Sequence, residues 1–474
     1  MPSASHRLLL LLTLLLPLGC RSFPSAVESA RPAVIRVDWG RSRQAIVGFG
    51  GTMGWIHPAP AKRDEIFDLL FTTLGASLLR IQALAGEGGD EESLEPDNDN
   101  ADPNAFDWAR FPIAATEAKN AVIIRTALDR GVKTILPVTW SPPGWMKDTG
   151  RRAGGGQLKE ELLDEYAELW AAYVIGMKRE FDIGVRLISI QNEPDLEYYY
   201  PTCRIRPALY ARAVAAVERR MKKEKLDVRV AVPDTCRMYH LEEYLDELAK
   251  AGTSLGTPIL AHLYDLSIPF DRVDRDPPRW REARDLARKH RRPLWLMETA
   301  NYLGYSTEHA SYDEALIWAQ KIHWALVAGD CEVVCYWSLF FDKPNEALIY
   351  CERSECPDYR ITPKFYTSMN YYRFVRPGMV HCEAACGDAV LLVSAFRAPR
   401  PAGGEQEDNP RGRVIVIVNP GSVPKRLALA DGLPGEWQRF ETAPDANCEQ
   451  AAPVRSGQEI IIPARSVTTL TRPD

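Results

Sequence analysis

Two glutamates in this sequence each close an apolar run, and together they are its strongest indication of chemistry. Glu193 follows the mostly apolar stretch Val185–Gln191 and precedes Pro194, while Glu298 ends the run Pro293–Met297. Pro194 cannot continue a sheet ladder, so each carboxylate is expected where a buried strand emerges into a polar cleft. Hydrolysis of a glycosidic bond with retention needs two such carboxyls, one a proton donor and the other an ionised nucleophile. The pattern predicts sugar-cleaving chemistry.

The two glutamates belong to a longer alternation of strands and helices. Amphipathic helical stretches separate eight apolar runs, and the longest stretch lies between Leu158 and Phe181. Strict alternation predicts a parallel sheet, and eight repeats predict an α/β fold with a closed (β/α)8 TIM barrel over residues 46–377. The predicted strands are Val47–Thr52, Ser77–Ile81, Lys133–Thr139, Val185–Gln191, Val228–Pro233, Pro258–Leu263, Pro293–Glu298 and Glu332–Ser338.

The pattern changes after Gly378 to short alternating strands separated by Gly, Pro and Asn. This is typical of antiparallel sheets, and an early strand at Val34–Val37 could join them. We therefore expect an appended antiparallel β-sandwich domain made of residues 33–45 and 378–474. Its predicted later strands are Ala389–Ser394, Val414–Val418, Lys425–Leu429 and Ile460–Pro463.

Functional residues of such barrels gather at the C-terminal ends of the strands. Here those ends are rich in aromatic, charged and amide side chains, which stack on sugar rings and bond sugar hydroxyls. Any one of them could instead cap or pack, but the joint pattern favours a sugar-binding rim. The candidates are Arg80, Trp140, Asn192, Glu193, Asp234, His262, Tyr264, Glu298 and Trp337.

The charge and the first residues of the chain indicate its class of partner and its location. A net charge of -6 argues against a nucleic-acid partner, which would need a basic face.

His6 and Arg7 precede the leucine-rich run Leu8–Leu16, so residues 1–25 are expected to be an export signal. Pro17–Cys20 resembles a lipoprotein cleavage box, although proline is unusual there. Membrane attachment through a lipidated Cys20 is therefore one expectation, and ordinary cleavage just beyond it is the other. The protein is expected to be periplasmic, a cell-surface lipoprotein or secreted.

Ten cysteines in an exported chain predict disulfides. Their spacing lacks the short-loop pairs of a zinc site, and the alternative is that several are buried thiols. The candidate pairs are Cys331/Cys335, Cys351/Cys356, Cys382/Cys386 and Cys203/Cys236.

Several further stretches resemble one known family. Within the retaining glycosidases built on this barrel, the chain from about residue 33 to 471 is similar to glycoside hydrolase family 30, the glucosylceramidase, xylanase and β-1,6-glycanase group. Besides Asn192–Pro194 and Glu298, the stretches that carry the resemblance are Ile46–Gly51, Ser77–Ile81, Trp140–Lys147, Tyr371–Gly378 and Pro463–Leu470.

The resemblance implies a role for each rim residue and no cofactor or metal for catalysis. Glu193 would be the general acid/base and Glu298 the nucleophile, with the two carboxyls about 5–5.5 Å apart. A nearby Arg80 would depress the pKa of Glu298, so that Glu193 would titrate above it. The substrate-binding residues would be Arg80, Trp140, Asn192, His262, Tyr264 and Trp337, with Asn192 on the 2-hydroxyl and the tryptophans on the subsite floor.

The substrate itself stays open at this stage. We expect a β-linked polysaccharide or oligosaccharide. The alternatives are an exo-acting β-glycosidase or glucosylceramidase, and a non-catalytic glycan-binding surface lipoprotein, against which the presence of both glutamates counts.

Two loop segments have open interpretations. Tyr198–Tyr200 could form a stacking platform or simply pack. The segment 86–107 holds nine acidic residues without a Lys or Arg, and is expected to be a solvated loop, with calcium binding as the alternative. The oligomeric state is not predicted.

Overall fold

The apolar runs form parallel strands that follow a first strand, β1 (Ala33–Ala45). The structure is a computed structural model that describes residues 32–54, 56–84, 93–265, 278–300, 311–352, 358–399, 412–430, 433 and 435–472. The parallel strands are β2 (Gly48–Met53), β3 (Leu78–Gln82), β4 (Thr134–Val138), β5 (Leu187–Ile188), β6 (Arg229–Val230), β7 (Val232–Thr235), β8 (Ile259–Ala261), β9 (Leu294–Leu296) and β10 (Val333–Tyr336).

The parallel strands curl into a ring. Seven of them form one sheet in the order β4-β3-β2-β10-β9-β8-β7, and β5 pairs with β6. Ser189, just after β5, bridges Val138 at the end of β4, and Ala231 alone separates β6 from β7. The curled parallel sheet is that of a TIM-barrel-like protein, and each of the eight predicted strands contributes to it.

Helices connect the strands at the predicted places. The long amphipathic stretch forms a helix whose buried side chains recur at helical spacing, among them Tyr166, Trp170, Tyr173 and Met177. Among the described residues, no helix combines the length and the apolar character that a bilayer crossing demands. The α-helices are α1 (Pro60–Phe67), α2 (Ile113–Thr116), α3 (Ala118–Asp129), α4 (Leu163–Phe181), α5 (Pro207–Lys223), α6 (Met238–Ala251), α7 (Pro278–Lys289), α8 (Tyr312–Val327) and α9 (Pro363–Tyr372).

The rest of the chain forms two more sheets. Three short strands make one of them: β11 (Phe340–Phe341), β12 (Ile349–Tyr350) and β13 (Arg360–Ile361). The other has nine strands in the order β19-β18-β21-β16-β15-β14-β1-β17-β20, so the N-terminal strand does join the C-terminal ones. Its remaining members are β14 (Val380–Cys386), β15 (Leu392–Arg397), β16 (Arg413–Asn419), β17 (Lys425–Leu429), β18 (Glu436–Ala443), β19 (Ala446–Arg455), β20 (Glu459–Ile462) and β21 (Ser466–Arg472).

The nine-stranded sheet has a hydrophobic core on each face. Along β16, Ile415 and Ile417 belong to a core within the sheet, where Trp39 stacks on Trp437 at 6.5 Å. Val416, on the opposite face, belongs to the core of the barrel. Successive strand side chains point to opposite faces, so one apolar strand serves both cores.

The structure contradicts three of the four predicted disulfides. Both members of Cys331/Cys335, Cys382/Cys386 and Cys203/Cys236 are free thiols, so these three pairings are wrong. Cys382 and Cys386 lie on the same strand, where a spacing of four residues separates them by about 13 Å, far beyond the reach of a disulfide. Cys351 is disulfide-bonded, and its predicted partner, Cys356, lies outside the described residues.

A substitution at Gly50 would test how closely β2 approaches β3. A Cβ atom at Gly50 would lie 1.9 Å from the carbonyl oxygen of Leu78, a backbone atom that cannot swing aside. We expect Gly50→Ala to lower the free energy of unfolding by about 1–3 kcal/mol or more, as measured by urea unfolding. Gly184→Ala is the control, because a Cβ there meets nothing within 4 Å. Equal stability of the two variants would contradict the strand pairing.

Candidate active site

The barrel delivers the predicted side chains to one place at the C-terminal ends of its strands. Arg80 lies within β3, and Asp234 lies within β7. The others follow strand ends by a few residues: Trp140 after β4, Asn192 and Glu193 after β5, His262 and Tyr264 after β8, Glu298 after β9, and Trp337 after β10. Every rim residue singled out from the sequence is therefore part of the described site.

Arg80 lies at the centre of this group. Its side chain is fully buried, and Nη1 donates to Glu298 Oε2 at 2.5 Å. Nη2 donates to Asn192 Oδ1 at 2.5 Å and to Asp234 Oδ2 at 2.9 Å. One guanidinium thus fixes side chains from three other strands. Its planar fork suits such shared contacts better than an ammonium would.

Each carboxyl oxygen of Glu298 accepts a hydrogen bond. Tyr264 Oη donates to Oε1 at 2.9 Å, and Arg80 donates to Oε2. Burial raises the pKa of the Glu298 carboxyl, while the charges of His262 and Arg80 oppose that rise. Arg80 therefore acts in the expected direction, but the expected depressed pKa at Glu298 is wrong, because removal from water outweighs both cations.

His262 connects Glu193 to Asp234. Its Nδ1 lies 2.9 Å from Glu193 Oε1, and its Nε2 lies 3.0 Å from Asp234 Oδ1. Burial alone would lower the pKa of His262, but the neighbouring Glu298 and Asp234 outweigh it and raise the pKa to about 10. The imidazole is therefore a cation at neutral pH, and both of its N–H groups donate.

The charges of the site nearly cancel. Burial opposes ionisation of Asp234, yet Arg80 and His262 hold the pKa of its carboxyl well below the usual range. Two cations, Arg80 and His262, thus face three carboxyls. The site therefore holds one more acid than cation, and its low-dielectric surroundings favour a net charge close to zero.

The distance between the two glutamates bears on the stereochemistry. One carboxylate oxygen of Glu193 and one of Glu298 lie within 4.8 Å of each other. Retaining glycosidases hold their two carboxyl groups about 5–5.5 Å apart, and inverting ones about 6.5–9.5 Å apart. The observed approach of the two carboxylates is therefore nearer to the spacing of retaining enzymes than to that of inverting ones.

Asn192 has a free donor. Its Oδ1 accepts from Arg80, which can only donate, so the orientation of the amide is fixed. Nδ2 is buried and has no hydrogen-bond partner within the described part of the chain. A buried unpaired N–H is costly, and a sugar hydroxyl is a group that could accept from it.

An open cleft of about 530 Å³ leads to the two glutamates. Trp140 and Trp337 form part of its lining, with ring centroids 5.8 Å apart. Tyr198 and Tyr199 lie at its exposed edge, with relative exposures of 47% and 73%. Aromatic surfaces therefore extend from the reacting centre outward, which suits a chain of sugar rings.

Known proteins that are similar to this chain in sequence or in fold include enzymes that hydrolyse glycosidic bonds. The chain is 25% identical over 470 residues to the glucuronoxylanase XynC of Bacillus subtilis (strain 168), covering 94% of this chain and 93% of the relative. Its fold matches the family 30 subfamily 8 xylanase Xyn30A of Clostridium acetobutylicum with a TM-score of 0.69 and 20% identity, covering 93% and 98% of the two chains. A conserved exported protein of Bacteroides fragilis matches with a TM-score of 0.73 and 18% identity, covering 93% and 100%. No family model matches the chain.

The chain is therefore similar, over nearly its whole length, to xylanases of the kind found in glycoside hydrolase family 30. It is a glycoside hydrolase, as the paired glutamates predicted. The likeness to XynC spans nearly the full length of both chains, so it includes the nine-stranded sheet as well as the barrel.

Some neighbours of the two glutamates have no role that the sequence predicts. Asp234 was recognised only as a strand end, although an acid inside a fully buried strand already requires a cation nearby. Tyr200 was considered for stacking, but its hydroxyl also donates to Glu193 Oε2 at 3.4 Å. Cys236 hydrogen-bonds with Glu193, and no sequence pattern indicates that contact.

Glu193, His262 and Glu298 are close enough together to bind a metal ion by distance alone. However, a protonated imidazole has no lone pair to offer, since both ring nitrogens donate to carboxylates. The chemistry of this donor set therefore does not fit a metal in the cleft.

The protonation of His262 can be tested directly. We expect ¹⁵N NMR at about pH 8 to show His262 as an imidazolium. His323 and His381, with burial lowering their pKa values to about 3, are internal controls and should be neutral. Because the folded pKa exceeds the unfolded value of about 6.5, the stability contributed by this charge is full below that pH. It is lost as the pH rises through about 10. A neutral tautomer of His262 at pH 8 would contradict the charge assignment.

Proposed function

We propose that the chain is a retaining glycoside hydrolase that cleaves β-glycosidic bonds of a polysaccharide by double displacement, with Glu193 as the acid/base and Glu298 as the nucleophile. The observation that carries the proposal is the approach of the two carboxylates to within 4.8 Å, on separate barrel strands. The likeness to XynC and to family 30 xylanases supports the same chemistry.

In the first step, Glu298 attacks the anomeric carbon of the sugar while Glu193 gives its proton to the departing glycosidic oxygen. The C–O bond to the leaving group breaks as the ester bond to Glu298 forms. Arg80 and Tyr264 orient the nucleophile through their bonds to its two oxygens. The free Nδ2 of Asn192 binds the 2-hydroxyl, a contact that strengthens as positive charge develops on the sugar.

In the second step, Glu193, now ionised, takes a proton from a water molecule, whose oxygen attacks the anomeric carbon and releases Glu298. His262, as a cation bonded to both Glu193 and Asp234, stabilises the ionised Glu193 between the two steps. The sugar leaves with the configuration that it had in the substrate.

The first substrate class that we propose is a β-xylan backbone, attacked internally. XynC and Xyn30A are named as xylanases, and the aromatic lining extends beyond the reacting centre to Tyr198 and Tyr199. An exo-acting β-glycosidase is the second candidate, because structural relatives named as a β-xylosidase from Caulobacter crescentus and a glucosidase from Croceicoccus marinus share this fold. Trp140 and Trp337 would form the floor of the central subsite in either case.

We further propose that the nine-stranded sheet is a β-sandwich side domain of residues 33–45 and 378–474, beside a catalytic barrel of residues 46–377. The internal core that includes Trp39 and Trp437 supports a second layer. Residues 1–25 lie outside the described residues. The leucine-rich start supports export, and we propose a lipid on Cys20 as the finer hypothesis.

Azide rescue separates the roles of the two glutamates. With an aryl β-xyloside, we expect Glu298→Ala to be all but inactive, and azide should restore activity as the α-glycosyl azide, because azide enters from the vacated face. Glu193→Ala should lose about 10²–10⁴-fold of its rate on unactivated xylan and yield the β-glycosyl azide from the activated substrate. The product anomers are read by NMR.

Glu197→Gln is the matched control, because Glu197 is an exposed acid four residues beyond Glu193 and should leave the rate unchanged. Azide products of the opposite configurations would reverse the two roles. A panel of β-xylan, β-1,6-glucan and glucosylceramide, run with the wild-type enzyme, names the substrate. Release of an α-anomer by the wild type would contradict retention.

A substitution at Tyr199 distinguishes an enzyme that attacks the interior of a polymer from one that removes a terminal sugar. We expect Tyr199→Ala to raise KM for xylan several-fold and to leave kcat/KM on an aryl xyloside unchanged, because the ring lies at the exposed edge of the cleft. Tyr239→Ala is the control, since this exposed tyrosine of α6 does not line the cleft. Unchanged kinetics on the polymer would favour the exo-acting alternative.

A further inference from the structure

A second group of buried carboxyls lies outside the catalytic cleft. Asp99 comes from the segment after β3, and Glu165 and Glu168 come from the first turns of α4. One ligand oxygen of each lies within 4.8 Å of the others, and none of the three residues is more than 7% exposed. Glu95 is fully buried beside them, close enough for its charge to interact with all three. We refer to these four residues as the acidic cluster.

Each member of the acidic cluster has one satisfied oxygen. Asp99 Oδ2 accepts from the backbone N–H of Asp107 at 2.7 Å, and Glu95 Oε1 accepts from that of Asp99 at 3.2 Å. Glu165 Oε1 accepts from Asn98 Nδ2 at 3.4 Å. Glu168 Oε1 is 3.4 Å from Arg220 Nη2.

The other oxygen of each carboxyl is buried with no hydrogen-bond partner in the described part of the chain. These atoms are Asp99 Oδ1, Glu165 Oε2, Glu168 Oε2 and Glu95 Oε2, and Asn98 Oδ1 is in the same condition. Buried polar atoms are nearly always bonded to protein, water or an ion. Five such oxygens in one place indicate a missing shared partner.

Charge points to the nature of that partner. Within the described part of the chain, Arg220 contacts the acidic cluster through Glu168, and it also pairs with Glu224 at 2.9 Å. Four buried carboxyls thus meet one guanidinium that a fifth carboxyl shares. The acidic cluster therefore lacks positive charge, and a proton or a metal cation must supply it.

We propose that the acidic cluster binds a divalent cation of the Ca²⁺ class. Calcium takes six to eight oxygen ligands at about 2.3–2.6 Å, so oxygens on opposite sides of the ion lie about 4.6–5.2 Å apart. The mutual distances among Asp99, Glu165 and Glu168 fit within that sphere. Carboxylate and amide oxygens, with no nitrogen or sulfur among them, are the donors that this hard cation prefers.

A shared proton is the competing explanation. Glu165 and Glu168 lie three residues apart on α4 and could share one proton between two of their oxygens. That bond would leave the free oxygens of Asp99, Glu95 and Asn98 without partners. One cation can join Asp99, Glu165 and Glu168 at once, so the cation explains more of the observed geometry.

The ion would stabilise the wall of the cleft. Trp145 Nε1 donates to the carbonyl oxygen of Glu95 at 3.1 Å, and Trp145 belongs to the loop that carries Trp140. Joining the segment around Glu95 and Asp99 to α4 through one cation would fix that loop as well. The site is thus structural and takes no part in the glycosidic reaction.

The test uses the full-length enzyme and does not rely on turnover. After removal of metals with EDTA at about pH 8, CaCl₂ at about 100-fold over Kd should raise Tm by several degrees, whereas the same concentration of MgCl₂ should raise it less. Terbium should bind with one equivalent, its luminescence excited through nearby Trp145 and quenched by added calcium. Glu165→Gln and Asp99→Asn should each abolish both responses.

Glu161→Gln is the control, since it removes one exposed negative charge four residues before Glu165 and should keep both responses. If one cluster variant does not fold, as judged by circular dichroism, the other variant and the wild-type terbium titration still decide. The proposal is overturned if neither calcium nor EDTA shifts the wild-type Tm and terbium does not bind. It is equally overturned if both folded cluster variants bind terbium as the wild type does.

Discussion

The buried guanidinium of Arg80 is the constraint on which the active site depends. A fully buried cation must be paired, and Arg80 contacts Glu298, Asp234 and Asn192 at once. These contacts orient Glu298, fix the amide of Asn192 and place the carboxylate of Asp234, which binds His262. Loss of Arg80 would remove the guanidinium that contacts two buried carboxyls, Glu298 and Asp234. Its role is therefore structural and electrostatic together, and the two cannot be separated by a single substitution.

The barrel reduces the conformational entropy that is lost when this network of side chains is ordered. Arg80 and Asp234 lie within strands, and Asn192, His262 and Glu298 follow theirs by no more than four residues. Such positions have little backbone freedom left, so the network orders few additional torsions. The same constraint explains why β2 and β3 approach so closely at Gly50, since the position of Arg80 depends on the register of that pair.

The barrel and its paired glutamates could be predicted from the sequence, because both depend on local residue patterns. Apolar runs mark β2 to β10, and Glu193 and Glu298 follow two of them directly. Strands β14, β18 and β19 were missed, because they lie partly exposed and lack a clear apolar alternation. The wrong disulfides and the wrong expectation for the pKa of Glu298 share another cause. Each depends on distances and burial that the fold alone decides.

Two buried acidic groups in one protein meet the same electrostatic problem in different ways. In the cleft, Arg80 and His262 face three carboxyls, which leaves a deficit of about one positive charge. One proton is enough to fill that deficit, and a proton can leave again during a reaction. In the acidic cluster, Arg220 leaves a larger deficit, and the carboxyls come from both a loop and a helix. A multiply charged ion with many ligands suits that arrangement, because it balances the charge and cross-links the two elements at the same time.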